Sequence, residues 1–300
     1  MTQFIDTPVL DGRDSSLKRL WDVKTLPCAE CAQSWNRILR TKATKHPLQD
    51  YAAHTKELID HGIPRAELDI SGVVLLYGEP GTGKTTLAKG FAGEFAKTMG
   101  QPTRLFTLHT ERVFSELLGQ SPKELAKAFE GIRFAAQQSP IVVLVDEIET
   151  ISYARKKVIN TSDPTDLVRF VDQLLKDLDS LQEFNHAVVV GTSNFAQVID
   201  DAFWSRADLA LKVPLPDVQT RQAILQARAK TLAPLGLMLS GEELAALAKE
   251  ADGLSGRTLG KLYPKTRIEK GVAYEDMSMD DVLATIREAH LTKETTNASR

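Results

Sequence analysis

The chain has 300 residues, with 37 Lys and Arg set against 40 Asp and Glu, for a formal net charge of −3. That length supports one large domain or two modest ones, and the near-neutral balance speaks against a protein whose main partner is a polyanion. No stretch approaches the apolar length of a membrane span. The opening residues Met1 to Asp6 lack the basic and apolar regions of a secretory signal, so the cytosol is the expected compartment.

Residues 1–34 carry no clear periodicity and are read as an N-terminal segment without a separate adaptor domain. Within them lie the two cysteines of the chain, Cys28 and Cys31. Zinc would need two further ligands, and neither a second pair nor a neighbouring His motif supplies them. Two reduced thiols are expected, with a zinc site shared between subunits as the alternative.

From Trp35 to His61 the apolar positions Trp35, Ile38, Leu39, Leu48, Tyr51 and Leu58 recur at helical spacing. Strands and helices then alternate. Val73 to Tyr77, Arg104 to Leu108, Ile141 to Val145, Ala187 to Val190 and Leu209 to Val213 read as strands. Helices are expected from Lys84 to Thr98, from Ser121-Pro122-Lys123-Glu124 onward, and from Asp163 to about Leu181. This is the rhythm of a parallel five-stranded sheet flanked by helices. Beyond Pro214-Leu215-Pro216 the pattern turns helical: Val218 to Leu232, a capped start at Ser240, another at Ser255, and a segment near Asp280 to His290. The expected division is an α/β domain over 35–215, a small all-helical domain over 216–292 and a loose tail over 293–300.

Between the first strand and helix stands Gly78-Glu79-Pro80-Gly81-Thr82-Gly83-Lys84-Thr85, followed by Thr86. The glycines let the backbone curl so that its N–H groups face a phosphate, and the helix that follows presents its positive end to the same group. Lys84 can reach the β and γ phosphates, and the Thr85 hydroxyl can ligate magnesium. The apolar strand Ile141 to Val145 ends in Asp146 and Glu147. Asp146 is placed to hold the metal, and Glu147 to polarise an attacking water. A nucleoside triphosphate with Mg²⁺ is the ligand this constellation requires.

Three further segments narrow the class: Gly191-Thr192-Ser193-Asn194, Asp201 to Asp208, and Gly253-Leu254-Ser255-Gly256-Arg257. This ordered set resembles the AAA+ P-loop ATPases. The resemblance implies that ATP is the nucleotide cofactor, that Asn194 is a sensor of the γ-phosphate and that Arg206 is a finger reaching a neighbouring subunit's site. Arg257 would be a second sensor in a helical lid. Together with Glu147-Ile148-Glu149 and Tyr153-Ala154-Arg155, these segments look like the pachytene checkpoint protein 2 (thyroid receptor-interacting protein 13) branch. In that branch Val113 to Leu118 corresponds to a pore loop, with Leu117 and Leu118 gripping substrate, and Arg155-Lys156-Lys157 to a second one.

The resemblance further implies a homo-hexamer that remodels a protein substrate by ATP hydrolysis. The short N-terminus is similar to that of bacterial members in anti-phage CBASS systems. Their substrates are HORMA-domain proteins, complexed in some cases with a CD-NTase, and their role is negative regulation. No membrane or direct nucleic-acid partner is expected. The other readings are a nucleic-acid-associated AAA+ loader and an ATP-gated scaffold without turnover. Leu117-Leu118 and the acidic balance argue against the first, and Glu147, Asn194 and Arg206 against the second.

Overall fold

The computed structural model describes residues 21–38, 42–108, 122–150, 166–199 and 201–298. Contacts divide the chain into two compact units. The first takes in residues up to Arg37, Thr44–Gly78 and Lys84–Lys212; the second takes in Ile38–Ala43, Glu79–Gly83 and Val213 onward.

The first unit is built on a sheet of six strands: β1 (Trp21–Leu26), β2 (Val73–Tyr77), β3 (Thr103–Leu108), β4 (Ile141–Val145), β5 (Ala187–Ser193) and β6 (Leu209–Lys212). They lie in the order β1-β3-β4-β5-β2-β6. Strands β2 to β6 are parallel, as the fully apolar run of central β4 leads one to expect. The sixth strand departs from the five expected. Trp21–Leu26 pairs antiparallel with β3 at the sheet's edge, so part of the unread N-terminal segment belongs to the α/β unit. Its alternation is short and half polar, and its place is fixed from a distance. Trp21, 2% exposed, meets the Phe129 ring edge-on at 5.4 Å.

Helices α1 (Ala29–Arg37), α2 (Lys42–Asp60), α3 (Lys84–Met99), α4 (Pro122–Gln138), α5 (Asp166–Asp179) and α6 (Asp201–Trp204) complete this unit. The single helical stretch expected from Trp35 to His61 is thus two helices, the first beginning six residues earlier. Helix α1 lies close against α3. A side chain on Gly90 would come within 2.8 Å of the Trp35 backbone, so only glycine permits that approach. The expected starts at Ser121 and Asp163 lie outside the described residues. The core fills the space between the sheet and its helices, with Phe106, Phe129, Ile132, Val143 and Leu174 inaccessible to solvent.

The second unit holds α7 (Val218–Leu232), α8 (Gly241–Glu250), α9 (Gly256–Gly260), α10 (Leu262–Lys270) and α11 (Met279–Ala298). Ser240 and Glu243 close a reciprocal capping box at α8, satisfying two amides that the helix start leaves unpaired. Leu225, Leu247, Leu259, Tyr263 and Val282 form its core. Helix α11 runs through to Ala298, so residues 293–298 are helical where a loose tail is expected. Lys293 Nζ donates to the Gly253 carbonyl at 2.9 Å and ties that stretch down. Among the described residues no helix is long and apolar enough to cross a membrane.

Candidate nucleotide site

Strand β5 lies between β2 and β4, with Tyr77 opposite Ser193 and Val145 opposite Gly191. This register brings the residues that follow (Gly78, Asp146 and Asn194) to one edge, at the carboxyl ends of three adjacent strands. Open α/β sheets bind ligands at that edge. Gly78 N–H donates to the Ser193 carbonyl at 3.2 Å. Gly78, Gly81 and Gly83 have φ of 150°, 78° and 95°, conformations a side chain resists. Lys84, 5% exposed, donates from Nζ to the Gly78 carbonyl at 2.8 Å, so its ammonium stays inside the curl of the loop. Its residue also opens α3, whose first N–H groups have no partner within the helix. Thr86, half-buried, lies in the same first turn.

The Thr85 hydroxyl lies 2.9 Å from Asp146 Oδ1 and 3.2 Å from Oδ2. The Thr192 hydroxyl also donates to Asp146 Oδ1, and it accepts from the Glu147 amide at 3.2 Å. Three side chains from α3, β4 and β5 therefore converge as a cluster of hard oxygens, the donor type that suits a small divalent cation. Among the described residues no group of three or more His, Cys, Asp or Glu could hold a metal. A cation here would depend on Thr85, Asp146 and the oxygens of its ligand. Glu147 has φ of 54°, in the left-handed region that a non-glycine residue enters at a cost of roughly 1–3 kcal/mol. That turn lets the chain leave β4 and enter a helical turn at once, with Thr150 N–H donating to the Glu147 carbonyl at 2.9 Å.

Within the second unit, the loop residues Glu79–Gly83 meet the start of α9. Arg257 N–H donates to the Gly81 carbonyl at 3.1 Å. A side chain on Gly81 would fall 2.6 Å from Ser255 Oγ. Ser255 itself caps α9 by accepting from Thr258 N–H at 3.2 Å. The Arg257 backbone is thereby held against Gly81. Thr82 is buried and donates to the Glu79 carbonyl at 2.9 Å, while Glu79 and Pro80 are exposed.

Two predicted residues have partners that the sequence did not suggest. The side-chain amide of Asn194 donates to Glu149 Oε1 at 2.8 Å. Arg206 is held by its own chain at Asp179 and Ala202. Its Nε and Nη2 bind the two carboxylate oxygens of Asp179 at 2.5 and 2.8 Å, and its Nη1 donates to the Ala202 carbonyl at 2.6 Å. Asp208, two residues on, accepts from the amides of Ser71, Gly72 and Val73 at the amino end of β2. The five residues of that strand, about 16 Å in length, separate this end from Gly78. Leu117, Leu118 and Arg155 to Lys157 lie outside the described residues.

Sequence reasoning missed Thr192, Glu149 and Asp179. A hydroxyl residue between an apolar strand and Asn194 was a usable signal for Thr192. Nothing local marked Asp179, because its partner lies 27 residues away. The cysteines are both free, Cys28 partly and Cys31 fully buried. Burial, and then the neighbouring Cys28, push the Cys31 thiol up to about 12.

A family model described as "ATPase family associated with various cellular activities (AAA)" matches residues 74–215. CD-NTase-associated protein 6 of Pseudomonas aeruginosa is 33% identical over 274 residues, covering 88% of this chain and 90% of that protein. A pachytene checkpoint protein 2 homolog of Oryza sativa subsp. indica is 29% identical and covers 84% of this chain; the match takes in 61% of the rice protein's length. Among solved structures, Caenorhabditis elegans PCH-2 superposes with a TM-score of 0.75 at 24% identity, covering 92% of this chain and 76% of that one. A chain of an Escherichia coli MS115-1 HORMA:CdnC:Trip13 complex superposes with a TM-score of 0.73 at 19% identity, covering 92% of this chain and 97% of that one. At such identities these structures speak for the fold alone.

Proposed function

Since the chain belongs to the AAA ATPases of the Pch2/Trip13 family, and so to enzymes that hydrolyse ATP, we propose that it spends that hydrolysis on remodelling a HORMA-domain protein. The substrate would be met free or bound to a CD-NTase, in bacterial anti-phage signalling, with this ATPase as a negative regulator. The observation that supports the substrate class is the likeness to CD-NTase-associated protein 6, which spans nine-tenths of that relative.

The residues divide the work. Gly78 to Gly83 cradle the phosphates through backbone N–H groups, and Lys84 offsets their charge. Thr85 and Asp146 would hold Mg²⁺, which supplies charge neutralisation at the phosphates. Thr192 holds Oδ1 of the same Asp146 carboxylate from β5. Glu147 orients and polarises the attacking water, Asn194 reads the terminal phosphate, and Arg257 answers to it beside the loop. Arg206, tied to Asp179 in its own chain, serves the site of a neighbouring copy in a homo-hexamer. Leu117 and Leu118 grip the substrate in the channel of that ring.

The test is retention by Glu147→Gln. With ATP and Mg²⁺ present, the variant should form a ring and hold a HORMA-domain protein, alone or with its CD-NTase, and wild type should release it with turnover. A variant that retains no HORMA protein overturns the substrate reading. A protein that stays monomeric with ATP yet hydrolyses at full rate overturns the ring.

A further inference from the structure

Glu149 is 9% exposed and sits in the helical turn just past Glu147. Its Oε1 accepts two hydrogen bonds, both from Asn194: from the backbone N–H at 3.1 Å and from Nδ2 at 2.8 Å. Its Oε2 is buried and has no hydrogen-bond partner among the described residues. A buried carboxylate satisfied at one oxygen is costly, and a fold with no use for the charge would do better with an apolar residue of similar size. Both bonds that Glu149 makes go to the residue assigned to the terminal phosphate.

The chemistry of an amide gives the arrangement its meaning. The two ends of an asparagine side chain are nearly equal in shape and opposite in hydrogen bonding, one a double donor and the other an acceptor. A flip by 180° would present the wrong group to the reacting phosphate. An ionised carboxylate can only accept, so it holds the NH₂ end and excludes the flipped form. The bond to the backbone N–H clamps the same residue from its main chain. With one N–H spent on Glu149, the direction of the other N–H and of the amide oxygen is set before nucleotide arrives.

We propose that Glu149 is a positioning residue for ATP hydrolysis, which selects one orientation of the Asn194 amide. The proposal rests on the reading of Asn194 as the phosphate sensor. Glu149 acts through Asn194 and does not touch the nucleotide.

The experiment compares Glu149→Met, which keeps the volume and removes the acceptor, Glu149→Gln, which keeps an acceptor oxygen, Asn194→Ala, and the double variant Glu149→Met with Asn194→Ala. Each is measured for ATP affinity and for kcat, with a thermal melt to establish folding. A misplaced catalytic contact costs on the order of tenfold to a hundredfold in rate. Glu149→Met should lose kcat on that scale with ATP affinity within about twofold of wild type. Glu149→Gln should regain most of the rate. The double variant should be no slower than Asn194→Ala alone. Independent, multiplying effects overturn the proposal, as does Glu149→Gln falling as far as Glu149→Met. The melts of Glu149→Gln and the double variant keep the test open if Glu149→Met folds poorly, because the first retains an acceptor and the second removes the orphaned side-chain donor. Wild-type hydrolysis by Asn194→Ala removes the sensor reading and this proposal with it. A slow Asn194→Ala beside a fast Glu149→Met overturns the positioning role alone.

Discussion

Arg206 and Asp179 form a two-point bond within one chain, each carboxylate oxygen meeting one guanidinium nitrogen. A fork-to-fork pair of this kind fixes direction as well as charge. It is also partly solvated, with the side chains 28% and 36% exposed, so its net stabilisation is modest, within about 1 kcal/mol. That combination fits an arginine held ready on the surface for a phosphate on a neighbouring copy. The pair then predicts two different outcomes for its two members. Arg206→Ala should lower kcat by about a thousandfold, the scale of arginine fingers in phosphoryl transfer. Asp179→Asn loses only the holding contact and should stay within about threefold of wild-type rate, with a small drop in melting temperature. Steady-state hydrolysis of the assembled ring measures both. Equal losses for the two variants would mean that Arg206 is a brace within its own chain.

Glu147 carries backbone strain at φ 54° together with the proposed base. Glu147→Gln keeps the backbone and removes the carboxylate, so it should bind ATP normally and hydrolyse it at least about a hundredfold more slowly. Glu147→Gly removes both. Relief of the left-handed strain should raise stability by about 1 kcal/mol while turnover is lost. A calorimetric melt beside an ATPase assay reads the two effects separately. A Glu147→Gly variant that is less stable than wild type would show that the side chain, and not the strain, governs this turn.

The sequence was most legible where function forces the pattern. The loop Gly78–Thr85 and the strand leading into Asp146 had to carry their chemistry in consecutive residues, and the Thr85 hydroxyl meets the Asp146 carboxylate. The capping box at Ser240 was equally readable, because both of its bonds are local. Other features were hidden because their partners are remote. β1 is a strand by virtue of β3, some eighty residues on. Arg65 stood out in no motif, yet it is 3% exposed and its guanidinium donates to the carbonyls of Leu181, Gln182 and Ala187. No spacing rule announces a contact across 116 residues or more. A shorter separation, 27 residues, was enough to hide Asp179 from Arg206.

Asp208 shows how a residue inside a functional motif can be architectural. Its carboxylate accepts from three consecutive amides, Ser71 to Val73, and from the Tyr51 hydroxyl at 2.8 Å. Burial, with the Asp208 charge second, raises the Tyr51 hydroxyl above the usual phenol range, so that proton stays in place at all ordinary pH. Tyr51→Phe removes one bond of four and should cost about 1–2 kcal/mol. Asp208→Ala leaves three amides at the head of β2 without their acceptor and should cost about 3 kcal/mol or more. Urea denaturation checks both values. The order should hold: a Tyr51→Phe variant less stable than Asp208→Ala would misplace the anchor of this strand.

Cys31 gives a prediction with a definite pH window. Burial, and then Cys28, hold its thiol near 12 in the folded chain against an ordinary value of 9.0. At pH 8 the folded protein therefore presents roughly one thiolate in ten thousand at this position. Native alkylation followed by peptide mapping should label Cys28, which is partly exposed, and leave Cys31 unlabelled until the protein is denatured. The same shift acts on stability. Between pH 9 and 12 the unfolded chain releases the Cys31 proton while the folded chain keeps it, so the unfolded state binds fewer protons and stability falls as pH rises. Cys31→Ala removes that contribution. The variant should lose less stability than wild type between pH 9 and 10, a range that precedes most tyrosine titration in the unfolded chain. Parallel slopes for the two proteins across that interval, or rapid labelling of Cys31 in the native state, would show that the thiol is not held in its protonated form.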